Sequence, residues 1–113
     1  MTNLRLGGKL LALLNQFFVG DRVMSVTSDK NSVASLAIHN RSTQLRSYLL
    51  INHSNRPRTI QTSFRGWRPK NQRLTQHFIS SSGYQKIITS WNTIQNGMII
   101  PSNAVILMVF EPR

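Results

Sequence analysis

A chain of 113 residues with 40% hydrophobic content is long enough to bury one core and short enough to hold one domain. It has no cysteine, which excludes a disulfide framework and thiolate metal sites, and its 14 Lys and Arg oppose only 3 Asp and Glu, giving a net charge of +11. That imbalance points to acidic proteins, nucleic acid or an anionic membrane as partners, and it leaves few carboxylates for catalysis or metal binding.

Leu4, Leu6, Leu10, Leu11, Leu13, Leu14, Phe17 and Phe18 recur at helical spacing and predict an amphipathic helix. Thr2 or Asn3 can cap its start and Gly20 sits where a C-terminal cap belongs, while Gly7 and Gly8 weaken the first turns and place the firm helix at Lys9–Val19. Arg5 and Lys9 ahead of "LLALL" imitate a secretory leader. Asn15 and Gln16 break the apolar run, no small-x-small site follows, and the run is shorter than the roughly 20 residues of a membrane span. With no leader pattern, no transmembrane segment and no cysteine, a cytoplasmic location is favoured.

After Gly20 the apolar period changes to two. Strands are expected at Arg22–Thr27, Val33–His39, Leu45–Asn52, Arg58–Arg65, Arg73–Ser80, Tyr84–Thr89, Met98–Ile100 and Ala104–Phe110, separated by turn clusters such as "SDKNS", "NHSNRP", "SSSG" and "IQNG". The expected fold class is mainly β: an antiparallel β-sandwich of about eight strands with one N-terminal α-helix, in a single domain 1–113 (helix 1–20, sandwich 21–113). "SYLLIN" and "AVILMVF" are nearly continuous apolar runs, suited to central strands covered on both faces. "RTIQTSFR" alternates, turning Ile60, Thr62 and Phe64 inward and Arg58, Gln61, Ser63 and Arg65 outward.

Three stretches in this order carry a resemblance: "LLNQFFVGDRVMSVTSDKNSVASLAIHN", "SYLLINHSNRPRTIQTSFRG" and "MIIPSNAVILMVFEP". From Lys9 to Pro112 the chain resembles the C-terminal β-sandwich accessory domain that follows a (β/α)-barrel in glycoside hydrolases of the arabinofuranosidase- and xylosidase-like kind. The resemblance implies that the helix corresponds to the last barrel helix, with an apolar face made for a barrel that this chain lacks. That face must then pack on the chain's own sandwich or on another partner.

Glycoside hydrolysis needs two carboxylates flanking the scissile bond, and in the family resembled both sit on barrel strands. Asp21, Asp29 and Glu111 are the only acids here, and turn or capping roles account for all three. His39 and His53 fall near the ends of neighbouring strands and His77 in mid-strand; the three lack ligand spacing such as H-x-x-x-H and are expected at the surface or at strand ends, and Ser80–Gly83 lacks a nucleophile-elbow context. No enzyme activity, metal or cofactor is expected.

The densest constellation is Asn55–Arg73, in which Arg56, Arg58, Arg65, Arg68, Lys70 and Arg73 surround Phe64 and Trp67 without one acid. Arg beside an aromatic can grip acidic side chains or phosphates; the plain alternative is a solvated face with Trp67 packed beneath a loop. The leading expectation is a non-catalytic basic subunit docking on a larger assembly with an acidic surface. Its contacts would be electrostatic through Arg56, Arg58, Arg65, Trp67, Arg68, Lys70 and Arg73, and apolar through Leu10, Leu13, Leu14 and Phe17. One alternative is a nucleic-acid-binding subunit of a ribonucleoprotein. Another is a carbohydrate-binding domain using Trp91 and Asn92, with Tyr48 assigned to the core. The oligomeric state is left open.

Overall fold

In a computed structural model, which describes residues 2–27, 31–70 and 72–112, the chain is mainly β. Helix α1 (Thr2–Phe17) precedes strands β1 (Asp21–Val23), β2 (Val33–His39), β3 (Arg46–Asn52), β4 (Arg58–Ile60), β5 (Arg73–Ser80) and β6 (Gly83–Thr89). A short helix α2 (Trp91–Ile94) leads into β7 (Met98–Ile100) and β8 (Ala104–Glu111). Six strands form one sheet in the order β1-β2-β3-β8-β5-β6, β4 and β7 form a second, and every pairing is antiparallel.

The last strand lies at the centre of the large sheet, which explains its composition. Side chains of β8 alternate between two covered faces. Leu107 and Val109 pack with Leu13 of α1 and with Leu49 and Ile79. Ile106, Met108 and Phe110 pack with Leu50, Leu74 and Ile100 beneath the β4–β7 layer. A strand roofed on both sides has no wet face, so its apolar run is continuous rather than alternating.

The turn out of α1 depends on Gly20. Its φ of +143° is open to glycine, and an added Cβ would lie 2.5 Å from the His39 carbonyl oxygen. This close approach lets the chain leave the helix and pair at once as β1, with Asp21 opposite His39. The Ser47 hydroxyl of β3 donates to the Phe17 carbonyl at 2.6 Å, satisfying one of the helix-end acceptors.

Several boundaries differ from expectation. The helix begins at Thr2 rather than Lys9, carrying Gly7 and Gly8 within it. β1 ends at Val23 instead of Thr27. Beyond it the Ser25 hydroxyl donates to the Ser35 carbonyl (3.1 Å) and the Thr27 hydroxyl to the Val33 carbonyl (2.9 Å), so side chains continue the β1–β2 register where backbone pairing stops. β4 stops at Ile60 because β7 offers only three residues to pair, although Thr62 and Phe64 remain half-buried and Ser63 and Arg65 exposed. The Ser90–Gly97 stretch, expected as a turn, contains α2; Ser90 precedes it in extended conformation and Trp91 turns into the core.

Asn52 is buried at the end of β3 and does more than close its own turn. Its Nδ2 donates to the carbonyls of Arg56 (2.9 Å), Ile100 (3.0 Å) and Pro101 (3.1 Å), while its Oδ1 accepts from the N–H and hydroxyl of Ser54. One amide thus ties the β3–β4 turn to the exit of β7.

Candidate protein-docking surface

After β4 the chain crosses the face of the large sheet and drops two aromatic rings into it. Phe64 meets Trp67 edge-on at 5.2 Å, and Phe110 receives Phe64 at 5.9 Å and Trp67 at 5.4 Å. Tyr48 and Trp91 complete the nest, 5.2 and 5.1 Å from Phe64. The Arg46 guanidinium lies 4.5 Å from the centre of the Trp67 ring, a cation–π contact that also fixes that end of the arginine. Trp67 is therefore an anchor, and the arginines on either side of it, Arg65 and Arg68, are held in solvent.

Lys70 and Arg73 are exposed too, and Arg73 opens β5 one step from the Leu74–Phe110 pair. Arg65, Arg68 and Arg73 thus share the end of the sandwich marked by Arg46 and Phe110. Arg56 and Arg58 belong to the opposite end, beside Asn52, with the Arg58 Nε donating to the Ser54 hydroxyl at 3.3 Å. Arg46 and Asn52 are six strand steps apart, about 20 Å, so the sequence cluster is divided in space. Arg41 pairs with Asp21 at 3.2 Å, exposed on both sides. Arg46 joins the platform although sequence reading passed over it: it opens an apolar strand, and only its distant partner Trp67 reveals its role.

The apolar face of α1 has a different destination from the one expected for docking. Leu13 is 4% exposed, and Leu10, Leu14 and Phe17 are half-buried with it against Leu49, Leu107 and Val109. These residues meet the chain's own sheet. Leu11 of α1 points away from that packing and is 60% exposed, and a separate aliphatic strip of Met24 (90%), Val26 (76%) and Leu36 lies uncovered along the β1–β2 edge. The register that sets Ser25 opposite Ser35 places Met24 and Val26 beside Leu36 and Ala34. An alternating pattern signals which residues share a face, but not whether anything covers that face, so this strip was not anticipated.

The two described acids cannot act as a glycosidase pair. Asp21 and Phe110 lie at the same level three strand spacings apart, about 14 Å, and Glu111 follows Phe110 on the opposite face. Catalytic carboxylates sit about 5–9.5 Å apart and face one another. Asp29 lies outside the described residues. A shallow cleft of about 360 Å³ at the β5–β6 turn is lined by residues such as Phe78, Ser80, Tyr84 and Gln85 and contains no carboxylate. Trp91 is half-buried in the aromatic nest, with Asn92 exposed beside it, and Tyr48 is partly buried in the same nest.

His77 lies in mid-strand as expected, but it is buried and not at the surface. It is 4% exposed in the middle of β5, its Nδ1 is 2.8 Å from the Tyr84 hydroxyl, and its ring stacks on Phe17. Burial, reinforced by Lys86 and Lys9, holds its pKa below the usual histidine value. His39 and His53 do lie at strand ends.

The fold occurs in known enzymes. The chain is similar to part of CelM2, a bifunctional glucanase-xylanase from a metagenome library, with a TM-score of 0.64 and 16% identity over 83% of this chain. It is similar also to part of a glycoside hydrolase family 44 endoglucanase from Clostridium acetobutylium (TM-score 0.61, 17% identity, 81% of this chain). A third likeness is to a family 44 xyloglucanase from Paenibacillus polymyxa (TM-score 0.58, 17% identity, 80% of this chain). In each case the chain spans about 19% of the length of the protein it matches. At these identities the likeness is one of fold. No family model and no curated protein matches the chain. No helix among the described residues is long and apolar enough to cross a membrane.

Proposed function

We propose that this chain is a non-catalytic accessory β-sandwich, of the kind that follows a catalytic barrel in glycoside hydrolases, and that it docks on a larger protein body with an acidic surface. The observation that carries the reading is the anchored Trp67: its ring is held between Phe110 and Arg46, and the flanking Arg65 and Arg68 are presented to solvent with no acidic partner among the described residues. Arginines fixed at the base lose less freedom when they engage carboxylates than arginines on a mobile loop do. The strip of Met24, Val26 and Leu36 supplies an apolar contact that the buried face of α1 cannot. The wide separation of Asp21 and Glu111 supports a role without glycosidic chemistry.

The test is affinity purification of the tagged chain from its native extract, with and without nuclease, repeated with Arg65→Glu/Arg68→Glu. A stoichiometric protein partner should survive nuclease and be lost from the charge-reversed variant. Partners that vanish on nuclease treatment would make the platform a nucleic-acid grip, and capture indifferent to the charge reversal would remove Arg65 and Arg68 from the interface.

A further inference from the structure

Beside its aliphatic packing on the large sheet, α1 touches two linked polar side chains of that sheet, His77 and Tyr84. Phe17, at the end of the helix, stacks on the His77 ring with centroids 5.4 Å apart. Lys9, midway along it, places Nζ 4.4 Å from the centre of the Tyr84 ring. The two sheet residues are joined by the 2.8 Å contact between the His77 Nδ1 and the Tyr84 hydroxyl, and their rings lie nearly parallel at 6.0 Å. The His77 Nε2 is buried and has no hydrogen-bond partner among the described residues.

This arrangement fits a neutral imidazole and no other form. Protonation puts an N–H on both ring nitrogens, so the Nδ1 can no longer accept from the Tyr84 hydroxyl while the buried Nε2 has no acceptor among the described residues. The charged groups around the ring are also of the wrong sign. Lys9 approaches from α1, and Lys86 stands opposite His77 on β6. On β8 the residue opposite is Leu107, and Glu111, the carboxylate on the same face, is four residues further along, about 13 Å away. Along β5 itself the neighbours on that face are Thr75 and Ile79.

We propose that His77 is an acid-sensitive latch for α1: protonation of its ring releases the helix from the sheet and uncovers the face made by Leu10, Leu13 and Leu14. With the helix displaced, the ring reaches water and takes up a proton as an ordinary histidine does. The closed form holds the lowered pKa and the open form the usual one, near 6.5, so the open form binds the proton more readily. Closure is therefore fully favoured above about pH 6.5, weakens as the pH falls from there to the lowered value, and is constant below it. Within that window the opening constant rises by up to about tenfold per pH unit.

Amide hydrogen exchange on the intact chain between pH 7.5 and 5, corrected for the intrinsic rate, tests this. The amides of Leu13–Phe17 should lose protection on acidification at up to about tenfold per unit, while those of Leu107–Val109 keep theirs. His77→Phe, which retains a ring against Phe17, should abolish the dependence. Should that variant fail to fold, Lys86→Gln at the exposed edge should raise the closed-state pKa and leave a smaller total loss. Flat protection in the wild type, loss of α1 and β8 protection together, the same acid response in His77→Phe, or an unchanged total loss in Lys86→Gln would each overturn the latch.

Discussion

Replacing Gly20 by alanine should be among the most damaging single-methyl additions available in this chain. Two separate penalties meet there. A φ of +143° is a conformation that L side chains rarely adopt, which costs about 1–3 kcal/mol. The new Cβ would also stand 2.5 Å from the His39 oxygen and 2.8 Å from the Asn40 Cα, both backbone atoms that no rotamer change can move aside. Overpacking of that kind costs about 1–3 kcal/mol, so the sum is about 2–6 kcal/mol out of a total stability of about 5–15 kcal/mol. Two other glycines separate the causes. Gly66 has φ +75° with nothing within 4 Å of an added Cβ, so Gly66→Ala carries the conformational penalty alone, about 1–2 kcal/mol. Gly7 lies within α1 in open space, so Gly7→Ala should stabilise by about 0.5–1 kcal/mol. Urea unfolding followed by circular dichroism gives all three values, provided the slopes agree. Gly20→Ala within 0.5 kcal/mol of wild type, or Gly66→Ala as harmful as Gly20→Ala, would refute the reasoning; the ±0.5 band is about the scatter of neutral surface changes.

Asn52→Asp keeps the shape of the side chain but turns a carboxylate toward the three carbonyls of Arg56, Ile100 and Pro101. A loss of about 3–5 kcal/mol at pH 7 is expected, shrinking in acid as the carboxyl protonates, and a pH series of thermal melts reads both. Trp67→Ala removes one wall of the aromatic nest, with its contacts to Phe64, Phe110 and Arg46, and should cost about 3 kcal/mol; because it frees the loop that carries Arg65 and Arg68, partner binding should weaken even at temperatures where the variant remains folded. Met24→Asp and Val26→Asp lie in solvent and should leave the melting temperature within error, while weakening the same partner binding if the aliphatic strip is in the interface.

The fold was legible where a local pattern had one meaning. β2, and β3 and β8 to within a residue, agree with expectation because their apolar runs end at turn residues with mechanisms of their own: Asn40, whose side chain accepts from the Ser42 and Thr43 N–H groups, and the Pro101–Asn103 step. β4 was overextended because a period of two records which side chains face inward, and that pattern persists to Phe64 after β7 has run out of residues to pair with. α2 was missed because four residues are too few for a helical period to show, and what fixes them is the burial of Trp91 against Phe64 and Phe110. The basic stretch was visible as a count of charges. Its division into two ends was not, since that depends on β3 setting Arg46 and Asn52 about 20 Å apart. His77 hid for a related reason: one histidine in an alternating strand carries no mark of the helix that will be laid across it.

The two covers of the large sheet are built differently, and the difference decides which one can move. The β4–β7 cover is entered and left through sheet strands, is tied at one end by Asn52 to three carbonyls, and is filled at the other by rings that interlock on Phe110. Lifting it would break the amide network and dismantle the nest in one step. The opposite cover is α1, which runs into β1 through Gly20 and is held by Leu13, the Ser47–Phe17 hydrogen bond and the His77–Phe17 stack. Local opening draws on the elements with the fewest buried contacts, so α1 should exchange before β4 and β7 at every pH. A helix that exchanged last would mean that its aliphatic packing, and not the ring pair beneath it, governs the attachment.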